Sequence, residues 1–118
     1  MKKIVVILII LVLCGCNNKS NSFEYQKVNN EDMAVLMSEN SYTIIDVRTN
    51  EEYELNHIKG AINIPYDELE NSVLPETDIV FVYCASGRRS EIASNTLINL
   101  GYQVYDLGSI DNIDLNRE

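Results

Sequence analysis

The chain has one histidine, no tryptophan, two prolines and three cysteines among its 118 residues. No His/Cys/carboxylate cluster stands at metal-ligand spacing and no Walker-type phosphate loop occurs, so neither a metal nor another cofactor is expected. Basic residues are scarce too: 9 Lys and Arg stand against 18 Asp and Glu, a formal charge of −9. That balance argues against nucleic acid or an anionic lipid surface as an electrostatic partner. A transmembrane helix is also missing. The longest apolar run, residues 4–13, has about half of the ~20 residues needed to cross ~30 Å of hydrocarbon. No internal repeat is present.

What the N-terminus does contain is a charged Met1-Lys2-Lys3, that short apolar run, and then Cys14-Gly15-Cys16. This order is that of a secretory signal. Leu13-Cys14-Gly15-Cys16 resembles the bacterial lipobox, with Leu three places before a cysteine and a small residue directly before it. The resemblance implies removal of residues 1–15 and a diacylglyceryl thioether on Cys16. Two acyl chains of the palmitate class, or three with an acylated amino group, suffice for stable anchoring where one chain is marginal. The expectation is a cell-membrane lipoprotein on the extracytoplasmic face. Residues 16–24 are polar and aperiodic and read as a tether. Residues 25–118 are long enough for one compact domain, expected to be a monomer.

Cysteine arithmetic then becomes informative. Cys14 is lost with the signal and Cys16 is capped, so Cys84 is the only free thiol and no internal disulfide can form. An unpaired cysteine outside the cytoplasm is either buried and inert or present for its reactivity. In an acidic chain, the neighbouring Arg88 and Arg89 form a rare cationic spot.

Residues 25–28 predict a short edge strand, and residues 30–38, with Met33, Leu36 and Met37 at helical spacing, predict a helix. A β-branched strand is expected at 42–47. Thr49 with Glu52 three places on predicts a capping box opening a helical turn at 49–56. A strand at 61–64 is stopped by Pro65, and a short helix follows at 66–70. Residues 79–83, the most apolar strand, belong at the centre. A helix over 90–100 presents Ile92/Ala93, Thr96/Leu97 and Leu100 on one face and ends at Gly101. Strand 104–107 and a final short helix at 111–117 complete the chain. Strands alternating with helices over short connections imply an α/β fold, a central mostly parallel sheet flanked by helices on both faces.

Cys84-Ala85-Ser86-Gly87-Arg88-Arg89-Ser90 therefore falls at the carboxyl end of a central strand, where a helix begins and where open α/β sheets bind ligands. Unpartnered amides and the helix dipole favour an anion there. The thiolate is the nucleophile; Gly87 permits a tight turn, and a guanidinium can fork onto an oxyanion. The loop resembles that of single-domain rhodaneses, which runs from a nucleophilic cysteine through five further residues. Ile45-Asp46-Val47-Arg48 with Glu51-Glu52-Tyr53, His57 to Pro65, and Gly101-Tyr102 with Val104 to Leu107 recur in that family's order. Asn56 and Ser109 stand where glycine is usual, and Ile113 where tryptophan is common.

The resemblance implies a sulfurtransferase: Cys84 takes sulfane sulfur from a small donor such as thiosulfate and passes it, as a persulfide, to a thiol acceptor or cyanide. Substrate contacts are expected from Ala85, Ser86, Gly87, Arg88, Arg89 and Ser90. Two alternatives stand beside it. A sulfur carrier or redox-binding module would use Cys84 without turnover, whereas a phosphatase or arsenate reductase resembles Cys-x5-Arg, which Ser90 at the sixth place disfavours. Asp46, Arg48 and His57 are expected to be structural supports, the first two as an ion pair anchoring loops.

Overall fold

A computed structural model of the chain describes residues 25–118. The expected signal, lipobox with Cys16, and tether lie outside the described residues. Five strands form one sheet, β1 (Gln26–Lys27), β2 (Tyr42–Asp46), β3 (Ile62–Asn63), β4 (Ile79–Cys84) and β5 (Val104–Ser109). Their order is β1-β5-β4-β2-β3, and every named pair is parallel. Parallel neighbours need crossovers. These are supplied by α1 (Asn30–Glu39), α2 (Asn50–Leu55), a 3-10 turn at Tyr66–Asn71 and α3 (Arg88–Asn99).

The central position expected of the apolar strand is where β4 lies, and all six of its residues are buried. Side chains alternate across a strand, so β4 divides the core. Ile79, Phe81 and Tyr83 pack with Met33 of α1 and with Ile44, Ile58 and Ile113. Val80, Val82 and Cys84 pack with Ile45, Val47, Leu69, and Ala93 and Leu97 of α3. Cys84 thus faces α3.

Local chemistry explains the helix ends. The Asn29 side chain accepts from the Asp32 amide, capping α1. Thr49 and Glu52 form the reciprocal capping box on α2. After α3, the Gly101 and Tyr102 amides return to the carbonyls of Ile98 and Leu97, the pattern that ends a helix.

Two expectations are corrected. The buried face of α3 carries Ser90, Ala93, Ser94 and Leu97, while Ile92 and Leu100 are exposed. Small Ser90 and Ser94 at the first turns suit close approach to the sheet, and each hydroxyl donates to α3 or loop carbonyls, Ser94 to Ser90 and Ser90 to Gly87. The final helix is also wrong. Residues 110–112 make a 3-10 turn, and the chain then extends so that the His57 and Lys59 amides donate to Glu118 and Asn116. The Arg117 guanidinium donates to the carbonyls of Ile110, Ile113 and Leu115, the first two of which a continued helix would have bonded through the amides of Asp114 and Arg117.

Candidate active site

The loop after β4 turns through Gly87, whose φ of +96° is costly for any residue with a Cβ. That geometry aims amides back at the sulfur. Cys84 Sγ accepts from the Gly87 amide at 2.9 Å and from the Ser90 amide at 3.4 Å. Gly87 is also the N-cap of α3 and offers no side-chain cap. The first-turn amides of Arg88 and Arg89 have no intrahelical partner, so the helix start is a cradle for a negative sulfur. Cys84 is 0% exposed. Its side chain rests on apolar neighbours while its sulfur meets N–H groups, and exclusion of water strengthens those contacts.

Flanking strands hold the loop. A β-bulge between β4 and β5 lets Val82 pair with Asp106 and Tyr83 with Gly108. A Cβ at Gly87 would meet only the Gly108 Cα, at 3.9 Å. Ser109, where the resemblance leads one to expect glycine, donates its hydroxyl to the Ala85 carbonyl at 2.7 Å. Beside the loop is a cleft of about 390 Å³, lined in part by Lys27, Asn30, Ser86, Gly87 and Ser109.

The two arginines part company. Arg88 is exposed and makes no ion pair among the described residues. Arg89 donates to both carboxylate oxygens of Glu52, at 2.8 and 3.1 Å. Hydrogen bonding from Arg89, more than any other cause, holds the Glu52 carboxyl down at about 2, and the same bond raises Arg89. The sequence marks Glu52 as a helix cap; its bond to Arg89 spans 37 positions, and no local pattern signals it.

Asp46 and Arg48 lie elsewhere. They form a buried pair at 2.6 Å, with Arg48 also donating to the Asn56 carbonyl at 2.7 Å. The guanidinium carbon is 5.7 Å from the centre of the Tyr83 ring, and Tyr83 points to the face of the sheet opposite Cys84. Burial raises the Tyr83 hydroxyl well above its ordinary range, and that oxygen accepts from the Ile58 amide at 3.0 Å. His57 stacks on Tyr53 with centroids 3.7 Å apart. Its Nδ1 is 2.9 Å from the Tyr53 carbonyl oxygen and its Nε2 3.5 Å from Glu118. None of these contacts involves the loop.

Asp106 lies within the family-like stretch Val104 to Leu107, but nothing in the sequence assigns it a place at the site. It is 1% exposed. One carboxylate oxygen accepts from the Gly108 amide at 2.8 Å, while the other has no hydrogen-bond partner among the described residues. The Ser90 hydroxyl faces this carboxyl but donates to Gly87. Burial pushes the Asp106 carboxyl up, so the loop rests on an acid that resists ionisation.

A rhodanese-like domain profile matches residues 29–114. The chain belongs to the rhodanese-like domain family. It is 40% identical over 78 residues to the thiosulfate sulfurtransferase PspE of Escherichia coli, covering 62% of this chain and 75% of PspE. It is 44% identical over 68 residues to YrkF of Bacillus subtilis, named as a candidate sulfur carrier protein, covering 56% of this chain but only 37% of YrkF. A solved E. coli rhodanese with bound anions superposes with a TM-score of 0.59 at 35% identity, over 66% of this chain and 98% of the other. Membership and the Cys84 cradle together support a rhodanese-type sulfurtransferase. Among the described residues no group of acidic, His and Cys side chains could hold a metal, and no helix is long and apolar enough to cross a membrane.

Proposed function

We propose that the chain is a lipid-anchored, extracytoplasmic sulfurtransferase that moves sulfane sulfur from a small anionic donor such as thiosulfate to a thiol acceptor through a persulfide on Cys84. The observation that carries the chemistry is the pair of amides on Sγ, at 2.9 and 3.4 Å. In the first half-reaction the Cys84 thiolate attacks the outer sulfur of thiosulfate. The S–S electron pair leaves with sulfite, and the terminal sulfur of the new Cys84 persulfide carries the negative charge. In the second, a thiolate or cyanide attacks that terminal sulfur, the S–S bond breaks toward Cys84, and the thiolate returns. Covalent storage divides one transfer into two easier ones, and the same N–H groups serve thiolate and persulfide. Arg88, on the exposed rim, receives the sulfonate end of the donor, which is positioning rather than bond chemistry.

The anchor rests on the Leu13-Cys14-Gly15-Cys16 pattern. Release of the protein from membranes by detergent alone, with a diacylglyceryl mass on Cys16 as the new N-terminus, tests it; recovery with residues 1–15 attached removes it.

The likeness to YrkF favours a second reading, a carrier that is loaded by one partner and unloaded by another. Thiosulfate and cyanide turnover by wild type and Cys84→Ser separates the two. Wild-type turnover abolished by Cys84→Ser supports the transferase. A wild type that gains one sulfur on Cys84 yet yields no thiocyanate is a carrier. A Cys84→Ser variant as active as wild type contradicts both.

A further inference from the structure

The loop presents two adjacent guanidiniums, but one of them is already engaged. Glu52 Oε1 accepts from the Thr49 amide at 3.0 Å, the Thr49 hydroxyl at 3.1 Å and Arg89 at 2.8 Å, while Oε2 takes the second Arg89 bond at 3.1 Å. A planar guanidinium gripped through two bonds is fixed in direction as well as place. Both side chains are partly exposed, 26% for Arg89 and 33% for Glu52, so the pair stands near the loop's rim and not in the core. Arg89 stands five residues after Cys84, in the first turn of α3 where the loop ends. An unopposed positive charge there would act on the sulfur and on any incoming anion; a paired one largely cancels.

We propose that Glu52 is a positioning residue of the sulfur-transfer site: its carboxylate clasps Arg89, cancels that charge beside the loop, and leaves Arg88 as the guanidinium that meets the anionic end of the donor. This rests on the sulfurtransferase reading for its meaning, but not for its test. Glu52 thereby joins two jobs, capping α2 and setting the charge seen at Cys84. Glutamine at 52 can still accept from the Thr49 amide, so it removes the charge while keeping the cap.

The experiment compares alkylation of Cys84 by iodoacetate, an anion, and by iodoacetamide, its neutral analogue, in the full chain, read by peptide mass. In both, the thiolate displaces iodide, and the ratio of the two rates reports local charge and not loop order. Glu52→Gln is expected to raise the iodoacetate/iodoacetamide ratio about two- to five-fold, the size of one unscreened charge at short range in a mostly aqueous setting. Arg89→Ala should lower it comparably by exposing Glu52, Arg88→Ala should lower it, and the double variant Glu52→Gln/Arg89→Ala should return to the wild-type ratio. With thiosulfate, Glu52→Gln should lower KM by a similar factor, with kcat changing less. If Glu52→Gln fails to melt cooperatively, the double variant compared with Arg89→Ala decides: a ratio restored toward wild type supports the clasp, and one that stays as low as in Arg89→Ala overturns it. A ratio unchanged in the folded single variants, or a KM that rises in Glu52→Gln, overturns the proposal. Absence of any thiosulfate turnover would count against the sulfurtransferase reading while leaving the alkylation ratios to decide this one.

Discussion

Replacing Gly87 by alanine isolates the backbone geometry from every other feature of the loop. The φ of +96° lies in the left-handed half of conformational space, where an L-residue costs roughly 1–2 kcal/mol. Space is not the obstacle, since the nearest atom to an added Cβ is the Gly108 Cα at an ordinary 3.9 Å. The whole penalty is therefore torsional. For a domain of this size it should lower Tm by about 4–16 °C, taking ~4–8 °C per kcal/mol. If the chain instead escapes the strain by rotating, the Gly87 amide leaves Sγ. Loss of one donor to a developing anion costs ~10²–10³-fold in kcat at comparable sites. Asparagine tolerates positive φ better than alanine, so the order of Tm and of thiosulfate-to-cyanide turnover should be Gly, then Asn, then Ala. Thermal melts by circular dichroism, with thiocyanate formation measured on the same samples, test both consequences. An alanine variant as stable and as active as wild type, or one ranking above asparagine, refutes the argument that the turn needs glycine for its torsion.

The buried Asp46–Arg48 pair supports a second expectation. Asp46→Asn strands a guanidinium that is almost wholly buried and should cost about 3–5 kcal/mol in urea unfolding; a loss below 1 kcal/mol would remove its anchoring role. For Glu52 the sign follows from its folded value of about 2, below the ordinary 4.5. The stabilisation is complete above pH ~4.5 and fades as pH falls toward 2. The Tm difference between wild type and Glu52→Gln should therefore be flat near neutrality and shrink through that window, and a difference that grows on acidification contradicts it. His57→Gln should change kcat less than about three-fold while costing ~1 kcal/mol of stability through the lost stack on Tyr53; a hundred-fold loss of kcat in a folded variant would make His57 part of the chemistry.

Much of this architecture is legible in local patterns. Residues 79–83 announce a central strand because nothing in them tolerates water, and Thr49 with Glu52 spells its own cap. The position of Cys84 follows from strand, glycine and helix in succession. What could not be read is what depends on distant partners. Arg88 and Arg89 look alike in sequence, and only the fold gives Arg89 to Glu52. Ile92 and Leu100 suggest an inner face of α3, but the face is set by Ser90 and Ser94, polar residues whose hydroxyls find carbonyls. The last residues have helical composition, yet pairing with residues 57–59 draws them out straight. Asp106 sits in a stretch that resembles the family, but its burial, with one oxygen unpartnered among the described residues, is a property of the folded chain that no local pattern signals.

Cys84 should carry transferable sulfur beneath the amides of Gly87 and Ser90. Intact-mass analysis after stoichiometric thiosulfate, followed by cyanide, reads this out on the protein itself. One added sulfur is expected, mapped to Cys84, with sulfite released and the increment discharged as thiocyanate when cyanide is added. A mass that does not change, or an added sulfur that persists in Cys84→Ser, would contradict it.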